Sequence, residues 1–122
     1  MLSVPHLYVG PSVLGGRGVF TAAAIPAGSI VELAPVIVVS AADRAVLHTT
    51  HLHDYYFEWA GDGAAIALGY GSLYNHAEAA NLDYELDYDF EQIRFTALRD
   101  VGPGEELLID YAAGGGREAL WF

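Results

Sequence analysis

A chain of 122 residues that is 53% hydrophobic has enough apolar content to exclude disorder, despite a net charge of −11, and enough length for one core rather than two. Sixteen acidic residues against five Lys and Arg exclude a phosphate-backbone partner, so no direct nucleic acid contact is expected, and they favour a cationic one such as a Lys/Arg-rich protein tail. Without cysteine there is neither a disulfide framework nor a thiolate zinc site; without a long apolar run or a basic leader, a soluble intracellular protein with no membrane contact is expected, cytoplasmic if bacterial.

In chain order, the first marked feature is the glycine turn Gly15-Gly16-Arg17-Gly18, followed by Val19-Phe20. Ile30 to Val39 is β-branched and apolar and reads as a strand, interrupted or confined to an edge at Pro35. Ser40 is a capping residue, and a helix is expected from Ala41 to Phe57. Leu82, Tyr84, Leu86, Tyr88 and Phe90 alternate with Asp83, Glu85, Asp87, Asp89 and Glu91, the pattern of a half-buried strand with an acidic outer face. Gln92 to Leu98 alternates again, which predicts a hairpin turning near Asp89 to Glu91. Leu107 to Ile109 is a short buried strand, and Gly114-Gly115-Gly116 reads as a linker to Leu120-Trp121-Phe122. The sum is a mainly β protein of short strands, one domain over residues 1–122.

Taken singly, the polar motifs allow bland readings. The glycine turn suits a tight β-turn, and its spacing fails the dinucleotide fingerprint. Asn75-His76 suits a loop, and Asp54-Tyr55-Tyr56-Phe57 suits a helix end packed on the core. His48, His51 and His53 raise a metal site, but no carboxylate pattern closes it, and no metal is expected. The acidic row of the hairpin is a solvated face or a steering surface for a cationic peptide.

Together, in order and spacing, Gly16-Arg17-Gly18-Val19-Phe20, the stretch Gly71-Ser72-Leu73-Tyr74-Asn75-His76 with Asn81, and Gly104-Glu105-Glu106-Leu107-Leu108-Ile109-Asp110-Tyr111 resemble a SET domain of the compact viral and bacterial type, without flanking zinc modules. The chain departs from the family pattern at Ala77, where Ser is usual, and at Ala80, where Pro is common. The resemblance implies a β-clip of small curved sheets with one or two short helices and a C-terminal strand threaded under a loop. It implies transfer of a methyl group from S-adenosylmethionine to the ε-amine of a lysine in a basic protein, histone or histone-like. The alternative is a non-catalytic SET-like module that binds a peptide or partner. By the same resemblance, Gly16, Arg17, Gly18, Tyr74, Asn75, His76 and Trp121 bind the cofactor. Tyr111 is the catalytic-site tyrosine, Tyr55 rather than Tyr56 walls the lysine channel, Glu106 is structural and Asp110 helps fix the threaded segment. A homodimer is expected from likeness to compact dimeric members and from the apolar Leu120-Trp121-Phe122 tip.

Overall fold

The computed structural model describes residues 2–111, which are built from ten short strands, one helix and one 3-10 turn. The first two strands are β1 (Leu2–Ser3) and β2 (Leu7–Pro11), and β2 forms a hairpin with β3 (Arg17–Thr21). Its loop is closed by the Ser12 N–H donating to the Gly16 carbonyl at 3.0 Å. Gly15 and Gly16 turn the chain there with φ of 103° and 62°, a region that side chains with a Cβ rarely enter.

β4 (Ile30–Val39) runs without interruption through Pro35, contrary to the sequence expectation. Its first part, Ile30 to Pro35, pairs with β9 (Gln92–Ala97), and Val36 to Val39 pair with β6 (Gly63–Ala67). Pro35 stands at that hand-over. Its missing N–H is not needed by either ladder, while its carbonyl accepts from the Leu68 N–H at 2.9 Å.

The expected helix is cut short. α1 covers Ala41–Leu47, capped by Ser40, whose hydroxyl accepts from the Asp43 N–H. The Thr49 and Thr50 hydroxyls then donate back to the Val46 and Leu47 carbonyls, which ends the helix. A 3-10 turn at His51–Asp54 follows, capped by Thr50, and the aromatic, β-favouring segment β5 (Tyr56–Trp59) pairs with β6. Tyr56 and Phe57 therefore belong to a strand.

The acidic hairpin is also shorter than its alternation suggests. β8 (Leu82–Asp87) pairs with β9 as far as Asp87 opposite Gln92. There the Asp87 carboxylate accepts from the Phe90 N–H and from Gln92 Nε2, folding residues 88–91 into a turn. Tyr88 and Phe90 are left exposed rather than half-buried.

The remaining strands, β7 (Asn75–His76) and β10 (Glu106–Ile109), make the threading. β10 is antiparallel to β3 through Glu106 and Leu107, parallel to β7 through Leu108 and Ile109, and parallel to β8 at Ile109. It lies between β7 and β8, and residues 77–81 that join those two pass over it. Asn81 pins the crossing. Its carboxamide donates to the Glu106 carbonyl and accepts from the Leu108 N–H, both at 2.8 Å, and the residue is fully buried. Beneath lies one core, in which Tyr74 and Tyr84 both pack on Phe95 with centroids 4.6 and 6.2 Å apart.

Removing a buried side chain that satisfies two backbone groups leaves both unpaired, at a cost of about 1–3 kcal/mol each at most. Asn81→Ala is accordingly expected to lower the unfolding free energy by about 2–4 kcal/mol in a urea titration. A wild-type midpoint would show that the crossing holds without Asn81.

Candidate active site

Glu106, the first residue of β10, is where three segments meet. Its carboxylate accepts from the Ser12 hydroxyl at 2.7 Å and from Asn75 Nδ2 at 2.8 Å. The same Asn75 nitrogen donates to the Arg17 carbonyl at 3.0 Å, so glycine loop, β7 and β10 are laced together. Gly18 is buried directly over this group. A Cβ there would stand 2.1 Å from Glu106 Oε2 and 2.9 Å from Asn75 Nδ2, so only glycine leaves the carboxylate in place.

These segments wall an open cleft of about 360 Å³, with Gly15, Gly16 and Arg17 on one side and Leu73, Tyr74 and Asn75 on another. Tyr55, Asp54 and Tyr111 complete it, and the same three residues also bound a narrow neighbouring cavity of about 10 Å³ with Phe57 and Ile109. That second space has room for about one water-sized group. Tyr111 sits where the two meet. Its hydroxyl donates to the Tyr74 carbonyl at 3.1 Å, its N–H donates to His76 Nδ1 at 3.0 Å, and its carbonyl accepts from the Tyr84 hydroxyl at 3.1 Å. Burial, with the nearby Asp54 and then Tyr55, pushes the Tyr111 phenol up to about 12. The ring thus presents a neutral hydroxyl throughout the physiological range.

Of the residues singled out in the sequence, Gly16, Arg17, Tyr55, Tyr74, Asn75 and Tyr111 line the cleft. Gly18 and His76 do not. Gly18 makes room for Glu106, and His76 lies tilted against Tyr111, ring centroids 4.8 Å apart, while its Nδ1 accepts the Tyr111 N–H. Trp121, Leu120 and Phe122 lie outside the described residues. Tyr56 is buried on the far side, its hydroxyl 3.0 Å from His48 Nδ1 and its ring under the Arg44 guanidinium. His53 Nδ1 donates to the Thr50 carbonyl, and among the described residues no group of three or more His, Asp or Glu converges on a metal position. The acidic hairpin faces a different hollow, where Glu85 pairs with Arg94.

Two contributors were missed by the sequence reading. Asp54 lines both cavities, although its place beside Tyr55 was the available signal. Glu32 is fully buried in β4, accepting from the Tyr74 hydroxyl at 2.7 Å and the Tyr70 N–H at 2.8 Å. Its signal was a lone acid inside an apolar run, which must find hydrogen-bond donors when buried.

A phenol raised by burial ionises late. In a spectrophotometric titration taken as the difference between the wild type and Tyr111→Phe, the missing phenol is expected to remain protonated at pH 11, against an ordinary midpoint near 10. A difference midpoint at 10 would mean that Tyr111 is solvated.

The SET domain family matches residues 16–112. A Schizosaccharomyces pombe histone-lysine N-methyltransferase specific for H3 lysine 37 is 33% identical over 108 residues, covering 88% of this chain and 70% of the relative. A crystallised Plasmodium falciparum histone methyltransferase candidate superposes with a TM-score of 0.68 at 27% identity, over 88% of this chain and 97% of that one. Polycomb Repressive Complex 2 of Chaetomium thermophilum, bound to S-adenosylmethionine in an autoinhibited conformation, gives a TM-score of 0.74 at 25% identity. There the match covers 87% of this chain and only 15% of the larger one. With the family match reaching across the glycine loop, the Asn75-His76 strand and the threaded β10, this chain belongs to the SET-domain family.

Proposed function

We propose that the protein methylates the ε-amine of lysine in a basic protein, a histone or histone-like chain, with Tyr111 and Tyr55 at the reacting centre. It is a protein-lysine N-methyltransferase, and S-adenosylmethionine is its cofactor. The observation that carries the assignment of roles is the Tyr111 hydroxyl, neutral and anchored to the Tyr74 carbonyl where a wide cleft adjoins a narrow one.

The wide cleft fits the cofactor. Its volume falls in the range of about 300–1,000 Å³ for small-molecule sites, and its glycine wall offers backbone without side chains. Arg44, Arg94 and Arg99 are each paired with a glutamate, whereas among the described residues no carboxylate pairs with Arg17, which lies on the cleft wall. An unpaired guanidinium there suits a carboxylate of the ligand. When bound, S-adenosylmethionine supplies an electrophilic methyl group next to a sulfonium.

The chain's own residues then have three tasks. The backbone of Gly15–Arg17 and of Tyr74, with Asn75, holds the ligand, while the Tyr74 ring and hydroxyl lie in the core. Tyr55, Phe57 and Tyr111 wall a slot with room for about one water-sized group, which suits the amine nitrogen rather than its aliphatic stem and aligns attacking and leaving atoms. The slot also favours the neutral amine. A lysine with the ordinary pKa of about 10.4 costs on the order of 4–5 kcal/mol to deprotonate at pH 7, and an environment that excludes water disfavours the ammonium.

The acceptor comes from outside this sequence. All five basic residues are arginines, at positions 17, 44, 94, 99 and 117, so the chain holds no lysine of its own. The net charge of −11 favours a basic partner. Pairing of two copies belongs to the same proposal, supported by exposed Ile37, Val38 and Leu68, as does an intracellular setting, cytoplasmic if bacterial, where cofactor and basic proteins meet.

Incubation with S-adenosylmethionine and a panel of Lys/Arg-rich proteins, read by mass spectrometry, is expected to give 14-dalton increments on lysine. Tyr111→Phe should lower kcat at least tenfold and leave cofactor affinity within about threefold. Cofactor binding without any methyl transfer would instead favour a non-catalytic binding module, and an unchanged kcat in the variant would remove Tyr111 from the chemistry. Light scattering of the same preparation is expected to give twice the monomer mass, and a monomeric mass at micromolar concentration would rule out the dimer.

A further inference from the structure

Behind the cleft wall is a carboxylate that the proposed chemistry does not use. Glu32, the third residue of β4, projects into the core, where it is fully buried. Both its oxygens are engaged from the segment that walls the cleft. Oε2 accepts from the Tyr70 N–H at 2.8 Å, and Oε1 accepts from the Tyr74 hydroxyl at 2.7 Å. Burial raises the Glu32 carboxyl above its ordinary range, only partly offset by these two donors. Burying an ionisable group is costly unless it is well hydrogen-bonded, so an apolar residue here would serve the core better. The position must therefore be explained by what the carboxylate holds.

What it holds is Tyr74. The ring of Tyr74 packs on Phe95 in the core, and its hydroxyl ends on Glu32. The carbonyl of the same residue accepts the Tyr111 hydroxyl at 3.1 Å. Glu32, Tyr74 and Tyr111 thus form a continuous line from the core strand to the junction of the two cavities. A carbonyl that moves turns the Tyr111 hydroxyl with it, and misplacement by about 1 Å is enough to slow an in-line transfer.

We propose that Glu32 is a positioning residue for methyl transfer, fixing Tyr74 so that its carbonyl aims the Tyr111 hydroxyl at the reacting centre. This inference rests on the methyltransferase reading, and it makes a structural claim that can be read without turnover.

The test compares Tyr74→Phe, Glu32→Met and Glu32→Gln with the wild type, each checked for cooperative unfolding. Tyr74→Phe removes only the hydroxyl that reaches Glu32. It is expected to lower kcat about tenfold while KM for a basic peptide and the cofactor Kd stay within about twofold. Glu32→Met, which keeps the length and loses both acceptors, should lose at least as much. Glu32→Gln, which can accept from Tyr70 and donate to the Tyr74 oxygen, should restore most of that loss. The second readout is the 13C resonance of the Tyr111 phenolic carbon, assigned by its disappearance in Tyr111→Phe. It should shift or broaden in Tyr74→Phe and Glu32→Met and return toward wild type in Glu32→Gln. An unmoved Tyr111 resonance in Tyr74→Phe overturns the proposal, and so does a wild-type kcat in that variant. Should Glu32→Met fail to fold, Tyr74→Phe alone decides. Should the wild type transfer no methyl group, the enzyme reading fails, and the resonance comparison still decides whether Glu32 sets Tyr111.

Discussion

The Glu106 carboxylate is the interaction on which the site depends. Three stretches remote in sequence, the loop at Ser12, the short strand at Asn75 and the threaded strand β10, are drawn near one another by the β10 ladders and by Leu107 and Ile109 in the core. One side chain then ties their polar ends at a single point, its two oxygens accepting from Ser12 and Asn75 at 2.7 and 2.8 Å. A charged acceptor makes stronger bonds than a neutral one, and partial burial limits screening. Gly18 is the corollary, since its missing Cβ is the space in which the carboxylate lies. The family-like glycines therefore do two different jobs. Gly15 and Gly16 bend the backbone through positive φ at the cleft, while Gly18 admits the carboxylate behind it.

A second layer of polar contacts transmits this order to the reacting centre. Asn81 satisfies two backbone groups of β10, His76 accepts the Tyr111 N–H, Tyr84 donates to the Tyr111 carbonyl, and the Tyr111 hydroxyl ends on Tyr74. Tyr111 is thereby held at its amide, its carbonyl and its phenol. That matters because β10 is only four residues long and cannot fix its own end by ladder bonds alone. Among the described residues every buried side-chain polar atom has a partner, as expected where polar groups organise a site rather than occupy it by accident.

How far the sequence could be read depended on the kind of signal. Period-two alternation located β8 and β9, because one face of each packs on the core. It overran at Tyr88 and Phe90, where an Asp87 side-chain turn ends the strand without changing the pattern. The helix from Ser40 was right at its capped start and wrong at its end. Threonine hydroxyls returning to carbonyls, and the pull of β6 on Tyr56 and Phe57, are tertiary and local effects that an apolar face does not encode. Pro35 looked like an interruption because sequence does not say that a strand can change partners there. At the site, Gly16, Arg17, Asn75 and Tyr111 line one cleft, and of Tyr55 and Tyr56 it is Tyr55 that lines it. Glu32 gave half a signal. A lone acid in an apolar run says that donors are needed, but those donors lie some forty residues away and the run does not name them.

If the Glu106 carboxylate shapes the cofactor cleft, removing it must weaken cofactor binding. The direct measurement is calorimetric titration of S-adenosylmethionine into the wild type and Glu106→Ala, with unfolding followed in parallel. Losing the acceptor shared by Ser12 and Asn75 should weaken binding about tenfold, equal to about 1.4 kcal/mol, in a variant that still unfolds cooperatively. Wild-type affinity in a folded Glu106→Ala protein would contradict it, leaving the carboxylate a bystander to a cleft held by other means.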